Sequence, residues 1–234
     1  KNIIQTKPDD QAARLLLGKV YLPIGDGASA EKELRRAQKL GAPAKKVTAN
    51  LAKALLLQGK IDEALDIAKT IEQAANTINA EILSVRGNAL LAKGKVEDAE
   101  AAYQRALDLD KSASLALQGL VKVAVFKNKL DKANLAIESL MAAAPKDVSA
   151  WTLKGAVLGR QQKPAEAETS YQQAVGFLNE QQMTRNGFAA YMGLAQMQLI
   201  QRKFDEALIN VEKLRASQPN HPIPRYMRAL IAFE

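Results

Sequence analysis

The sequence predicts an all-α chain: a superhelix of about six stacked helix-turn-helix units, with half units at both ends. Three observations predict it. Alanine stands at positions 30, 64, 99, 133, 167 and 207, at intervals of 34, 35, 34, 34 and 40 residues, in similar phrases such as Asp62-Glu63-Ala64 and Asp205-Glu206-Ala207. A fixed period near this length marks a stacked repeat array. Each period also holds two apolar stripes of helical spacing divided by a turn. Finally, Gly18, Gly87 and Gly155 share one place in the first stripe. Glycine inside a helix costs roughly 1 kcal/mol relative to alanine, so its return to one place calls for closely crossing helices.

Taken in order, the units begin near Gln11, Lys45, Ala80, Ser114, Val148 and Phe188, and a further first helix begins at Pro222. In the first unit Leu17, Gly18 and Tyr21 form one stripe, Gly25-Asp26 the turn, and Ala30, Leu34 and Ala37 the second stripe. The second unit turns at Gly59, and Ala52 takes the glycine place. The third runs Leu83, Gly87 and Leu90, then Lys93-Gly94-Lys95, then Ala99, Tyr103 and Ala106. Val121 and Ala195 take the glycine place in the fourth and sixth units. The fifth reads Trp151, Gly155 and Leu158, then Ala167, Tyr171 and Ala174, and about six extra residues follow within 176–187.

Helix ends agree with this division. Gly25, Gly59 and Gly94 suit the positive-φ residue that closes a first helix. Asp62-Glu63, Glu97-Asp98, Glu166 and Asp205-Glu206 place acids in the first turn of a second helix, where the dipole favours them. Pro8, Pro145 and Pro219 fall between units, where a helix must stop. Residues 1–7 read as the end of a preceding second helix, so the chain is expected to be one array over 1–234, cut from a longer repeat protein.

Composition narrows the function classes. No apolar run is long enough to span a bilayer, so no membrane contact is expected from this stretch. The absence of cysteine excludes a disulfide framework and a thiol nucleophile. The net charge is +8, but the basic residues are spread through the units, Arg35-Arg36 and Lys45-Lys46 being the densest pairs. No aromatics interleave with them as a base-stacking platform requires. No acid pair, Ser/His/Asp set or metal-spaced cluster emerges, so neither enzyme activity nor a catalytic residue, metal, cofactor or small-molecule substrate is expected. His221 reads as a surface residue, Gly59-Lys60 and Gly94-Lys95 as turns, and Trp151, Tyr103 and Tyr171 as packing.

The pattern Trp-x-x-Leu-Gly-x-x-Tyr, then Ala, an aromatic and Ala, then Pro, resembles the tetratricopeptide repeat. Trp151 through Gly155, Tyr171 with Ala174, and Pro219 carry the resemblance, while Arg14 stands in a tryptophan place. It implies a right-handed superhelix with a binding surface for a protein or peptide. A narrower similarity lies in residues 8–22, in Gly25-Asp26-Gly27-Ala28 with residues 30–37, and in residues 51–60. These look like the PrsT family, tetratricopeptide-repeat lipoproteins of Gram-negative bacteria associated with exosortase (PEP-CTERM) sorting and exopolysaccharide loci. That similarity implies a periplasmic or outer-membrane-anchored scaffold.

If the core stripe of each first helix faces its neighbours, the opposite stripe lines a concave groove. One place there reads Lys19, Lys53, Asn88 and Lys122; the place before it includes Ser84 and Gln118, and Phe126 lies on the groove edge. Lysine and asparagine both donate to carboxylate oxygens, so the ladder is expected to cradle an extended acidic segment, alongside apolar rungs such as Leu56, Leu91 and Val125. The pairs Leu15/Lys19, Ala49/Lys53 and Ser84/Asn88 do not form the carboxylate clamp of chaperone-binding repeat domains. The alternative function is direct binding of an anionic polymer, either an acidic exopolysaccharide or nucleic acid. Cytoplasmic regulation is the third reading.

Overall fold

The computed structural model describes residues 8–73, 80–178 and 185–233. Residues 1–7 and part of the insertion within 176–187, both subjects of expectations above, lie outside them. Among the described residues there are thirteen helices and no strand, so the fold is all-α as the period predicts. They are α1 (Gln11–Ile24), α2 (Gly27–Lys39), α3 (Ala44–Leu57), α4 (Ile61–Gln73), α5 (Ala80–Ala92), α6 (Val96–Leu109) and α7 (Ser114–Phe126), then α8 (Leu130–Ala143), α9 (Val148–Arg160), α10 (Pro164–Gly176), α11 (Arg185–Ile200), α12 (Phe204–Ser217) and α13 (Pro222–Phe233).

The chain forms two compact units, Lys1–Val123 and Ala124–Glu234. In the first, each helix from α1 to α6 packs on the next, and α1 touches α3 as α3 touches α5. In the second, α8 through α13 pack in the same succession, with α9 against α11 and α11 against α13. Within each unit the helices α1 to α6 and α8 to α13 therefore meet their sequence neighbours, and the first helices α1, α3 and α5, like α9, α11 and α13, meet one repeat apart.

The alanines that set the period are the crossing points: Ala30, Ala99, Ala133, Ala167 and Ala207 are fully buried, and Ala64 almost so. Around them the glycines do the work the sequence assigned to them, and two more join. The Tyr103 ring lies between Gly87 on α5 and Gly119 on α7: a methyl on either would come within 2.6 Å of a ring carbon. Tyr171 lies likewise between Gly155 on α9 and Gly193 on α11, with 2.8 Å on the first side. The tyrosine is thus a wedge whose two slots are glycines, one in its own unit and one in the next.

The turn between first and second helices is left-handed at six places. Gly25, Gly59 and Gly94 have φ of 85°, 74° and 74°, but Asn128, Gln162 and Arg202 hold φ of 53°, 60° and 60° at the same place in later units. The sequence showed the first three only, because the backbone there demands a conformation, not a residue. Asp10, Asp26 and Asp147 cap α1, α2 and α9 by accepting from backbone amides at 2.8–2.9 Å.

Candidate functional site

The proposed ladder begins on α1 and runs through α3, α5 and α7, one rung to each first helix of Lys1–Val123. Lys19 is exposed and has no hydrogen-bond or ion-pair partner among the described residues. Lys53 is half-buried, and its Nζ lies 2.5 Å from Glu81 Oε1 on the next first helix. That pair, with the contacts of α1 to α3 and α3 to α5, shows that the faces carrying the rungs adjoin. Asn88 is half-buried and its Oδ1 accepts from the Tyr103 hydroxyl at 2.8 Å, so this rung also fixes the wedge. Burial pushes the Tyr103 phenol well above its usual range, and it stays a donor. Lys122 is exposed and Gln118 half-buried on α7, while Phe126 at the end of that helix is 73% exposed.

Ser84 corrects the expectation drawn from its spacing. It is wholly buried, and its Oγ donates to the Ala80 carbonyl at 2.6 Å. A hydroxyl that bonds back one turn along its own helix has no free face for a ligand. Ala49, read on the same stripe, is also buried at 1%. The apolar rungs stay partly open: Leu22, Leu56, Leu91 and Val125 are each half-buried. In the second unit the same stripe presents half-buried Thr152, Met192 and Leu199, with Ala156 and Gln196 exposed. The Thr152 hydroxyl donates to the Val148 carbonyl at 2.7 Å.

Trp151 is half-buried instead of a core filler. Its indole N–H donates to the Pro145 carbonyl at 2.7 Å, and Lys154 sits 5.1 Å over its ring. The departure at Arg14 then has a reason. Arg14 Nε donates to the Pro8 carbonyl at 2.9 Å, and Arg225 Nε to the Pro219 carbonyl at 3.1 Å, each six residues back as in the Trp151 pair. Tryptophan and arginine are interchangeable there because each supplies a planar N–H at the same reach. His221 lies against Phe188 with ring centroids 4.8 Å apart, and its Nδ1 accepts from the Ile223 amide at 3.3 Å. No group of three or more His, Cys, Asp or Glu that could hold a metal occurs among the described residues.

A second feature escaped sequence reasoning. Glu31 on α2 accepts from Gln58 Nε2 at 2.7 Å and from Lys60 Nζ at 2.8 Å, both in the turn of the following unit. Glu168 on α10 accepts from Gln201 Nε2 at 2.8 Å and Lys203 Nζ at 2.7 Å in the same arrangement. Each glutamine also donates to a carbonyl at the start of the preceding second helix, Gly27 at 3.0 Å and Pro164 at 3.4 Å. Burial raises each carboxyl, but the lysine and glutamine donors outweigh it, helped at Glu31 by Arg35, and hold Glu31 at about 2 and Glu168 below its usual range. The signal was Gln-x-Lys recurring 27 to 35 residues after a glutamate, at a distance that a local motif search does not reach.

Comparison with known proteins supplies the family context. A family model described as a tetratricopeptide repeat-like domain matches residues 3–123, and one described as a tetratricopeptide repeat matches residues 90–157. No curated protein matches the chain. Among solved structures, a chain of the APC/C hetero-tetramer Cut9-Hcn1 is similar with a TM-score of 0.74 at 16% identity, over 98% of this chain and 44% of that one. The present chain therefore spans less than half of that relative. The Pseudomonas aeruginosa pilF protein has a TM-score of 0.63 at 18% identity over 94% of this chain and 96% of its own. A tetratricopeptide repeat protein from Parabacteroides merdae has 0.62 at 19% identity, over 95% and 86% respectively. Identities this low carry the fold and nothing finer.

Proposed function

The chain belongs to the tetratricopeptide repeat-like family, and on that premise we propose that it is a protein-interaction scaffold which binds an extended or helical partner segment along the first-helix face of Lys1–Val123. One observation carries this reading: a basic row, Lys19, Lys53 and Lys122, runs beside a half-buried apolar row, Leu22, Leu56 and Leu91, on the first helices of that unit. A partner that alternates acidic and apolar side chains meets both rows. Asn88 on α5 and Gln118 on α7 add polar groups to the same surface.

The test uses a fluorescently labelled peptide of alternating Asp and Leu, titrated with the protein by anisotropy. Changing Lys53 and Lys122 together to Glu should weaken binding at least tenfold while leaving the helical circular dichroism intact. Lys69→Glu, at an exposed place on α4, should change it less than twofold. Salt should reduce the affinity only modestly, because apolar contacts are not screened. Equal losses from both exchanges would mean that net charge alone attracts the peptide, and the groove reading would fall.

The cellular setting is proposed on sequence similarity. Residues 8–22 and 51–60 resemble the PrsT-type lipoproteins, which supports a periplasmic or outer-membrane-anchored scaffold in exopolysaccharide or protein-sorting machinery. Fractionation of the native cells decides it; recovery of the protein in the cytosol would end that proposal and leave the groove untouched.

A further inference from the structure

A dense cluster of basic side chains lies away from the ladder, on α2. A cavity of about 390 Å³ opens between α1 and α2, lined by Arg14, Lys32, Glu33, Arg35, Arg36 and Lys39. Lys32, Arg36 and Lys39 follow one another at i, i+4 and i+7 and so share one face of the helix. Arg35 stands beside them.

The arginines are held in place by carboxylates. Arg14 Nη1 lies 2.6 Å from Glu33 Oε2, with both side chains largely buried, and its Nε is held by the Pro8 carbonyl. Arg35 is paired with Glu31 at 2.7 Å and Glu63 at 3.5 Å, whereas Arg36 meets the exposed Asp9, a looser hold that a stronger anion displaces. A guanidinium has five N–H donors, so one such pair fixes its plane without exhausting it. An arginine fixed in this way has less freedom to lose when a second anion arrives. Lys32 and Lys39 differ: both are exposed and neither has a partner among the described residues. They are separated by about 10 Å of helix rise, with the fixed guanidiniums between them.

We propose that this cavity is a binding site for a short polyphosphate-bearing ligand, a chain of two or three linked phosphoryl groups whose ends are taken by Lys32 and Lys39 and whose middle is bridged by Arg36 and Arg14. Linked phosphates fit for two reasons. Their closely spaced oxygens match the planar forks of several arginines, which a lone carboxylate cannot fill. Their charge is dense enough to compete with Asp9 for Arg36. Of the acids that hold Arg14 and Arg36, Asp9 is 65% exposed at the side chain and can swing away; Glu33 is buried and stays.

The experiment is isothermal titration of the full chain with inorganic tripolyphosphate at fixed ionic strength. One saturable site is expected. Lys32→Ala with Lys39→Ala, which removes two exposed side chains and should leave the fold unchanged, should weaken binding at least tenfold. Lys69→Ala with Lys132→Ala, the same loss of charge at other exposed places, should change it less than twofold. Asp9→Asn should tighten binding several-fold by releasing Arg36, and Asp131→Asn should not. Citrate, with its charge on carboxylates, should bind at least tenfold more weakly than tripolyphosphate. Absence of a saturable site, equal losses from the two lysine pairs, no gain from Asp9→Asn, or citrate binding as tightly as tripolyphosphate would each overturn the proposal. Lys53→Glu with Lys122→Glu should leave this titration within twofold, which separates its failure from that of the groove reading.

Discussion

Gly119→Ala isolates the interlock between units. A Cβ there would stand within 2.6 Å of Tyr103 Cε2, and closer still to Cζ. The ring cannot slide away, because a methyl on Gly87 at its other face would be 2.6 Å from Cδ1, and Tyr103 is wholly buried with its hydroxyl tied to Asn88. Overpacking a core by one methyl group costs about 1–3 kcal/mol, and the lack of clearance puts this site at the upper end. Alanine returns about 1 kcal/mol of helix propensity, so the net loss should be about 2 kcal/mol in urea unfolding. The control is the same exchange in a Tyr103→Leu background, where the ring is gone and Gly119→Ala should become neutral or stabilising by up to about 1 kcal/mol. The coupling energy between the two sites should therefore be about 2–3 kcal/mol, large for a pair in contact. Hydrogen exchange should show the damage confined to α5, α6 and α7, since units of an array touch only their neighbours. A Gly119→Ala loss of the same size in both backgrounds would refute the clash with the ring.

Two further outcomes follow from other parts of the structure. Glu31 sits at about 2 against an unfolded value of 4.5, a depressed carboxyl, so its contribution is present above about pH 4.5 and is lost as the pH falls toward about 2. The shift alone corresponds to ~3 kcal/mol, which screening of the two-fifths-exposed Lys60 and Arg35 reduces to roughly 1–2 kcal/mol. Glu31→Gln should flatten the acid limb of the stability profile measured by urea unfolding between pH 5 and about 2.5, and an unchanged limb would exclude the clasp as its cause. At the first-to-second helix turns, Gln162→Gly and Arg202→Gly should each stabilise by about 0.5–1 kcal/mol, because both residues hold φ of 60°. Asn128→Gly should gain less, since asparagine tolerates the left-handed region; a loss of stability at Gln162 or Arg202 would contradict the strain.

The fold was legible because an array repeats its instructions: the alanine at each crossing, the turn and the acidic first turn recur often enough to outweigh any one irregular unit. What the sequence hid was conditional on partners. Gly119 and Gly193 were not singled out because their meaning lies in a tyrosine of the preceding unit, 16 and 22 residues back. Arg14 looked like a departure from tryptophan until the shared bond to a proline carbonyl showed what that place requires. At the candidate site spacing assigns each rung a place in its repeat, but the work of each side chain does not follow from it. Ser84 turns its hydroxyl to its own helix, Asn88 holds the Tyr103 hydroxyl and Lys53 meets Glu81, and none of these follows from periodicity.

The net charge of +8 also takes on a different meaning once partners are known. Part of the basic content belongs to joints. Lys60 and Lys203 close the clasps on Glu31 and Glu168, and Lys93 pairs with Asp62 of the preceding unit. A lysine in the turn is thus the means by which one unit holds the second helix of the unit before it, and a repeat that uses this joint accumulates lysines without becoming a polyanion binder. Charge relevant to recognition is what remains after the joints are subtracted. In Lys1–Val123 that remainder includes Lys19 on the ladder and Lys32 with Lys39 over the cavity, all exposed and all without a partner among the described residues. Diffuse charge would make every lysine count equally. A protein whose lysines divide into joint-makers and open rungs should instead lose stability when the first kind is changed and affinity when the second is; Lys53, a rung that also meets Glu81 of the next repeat, should register in both.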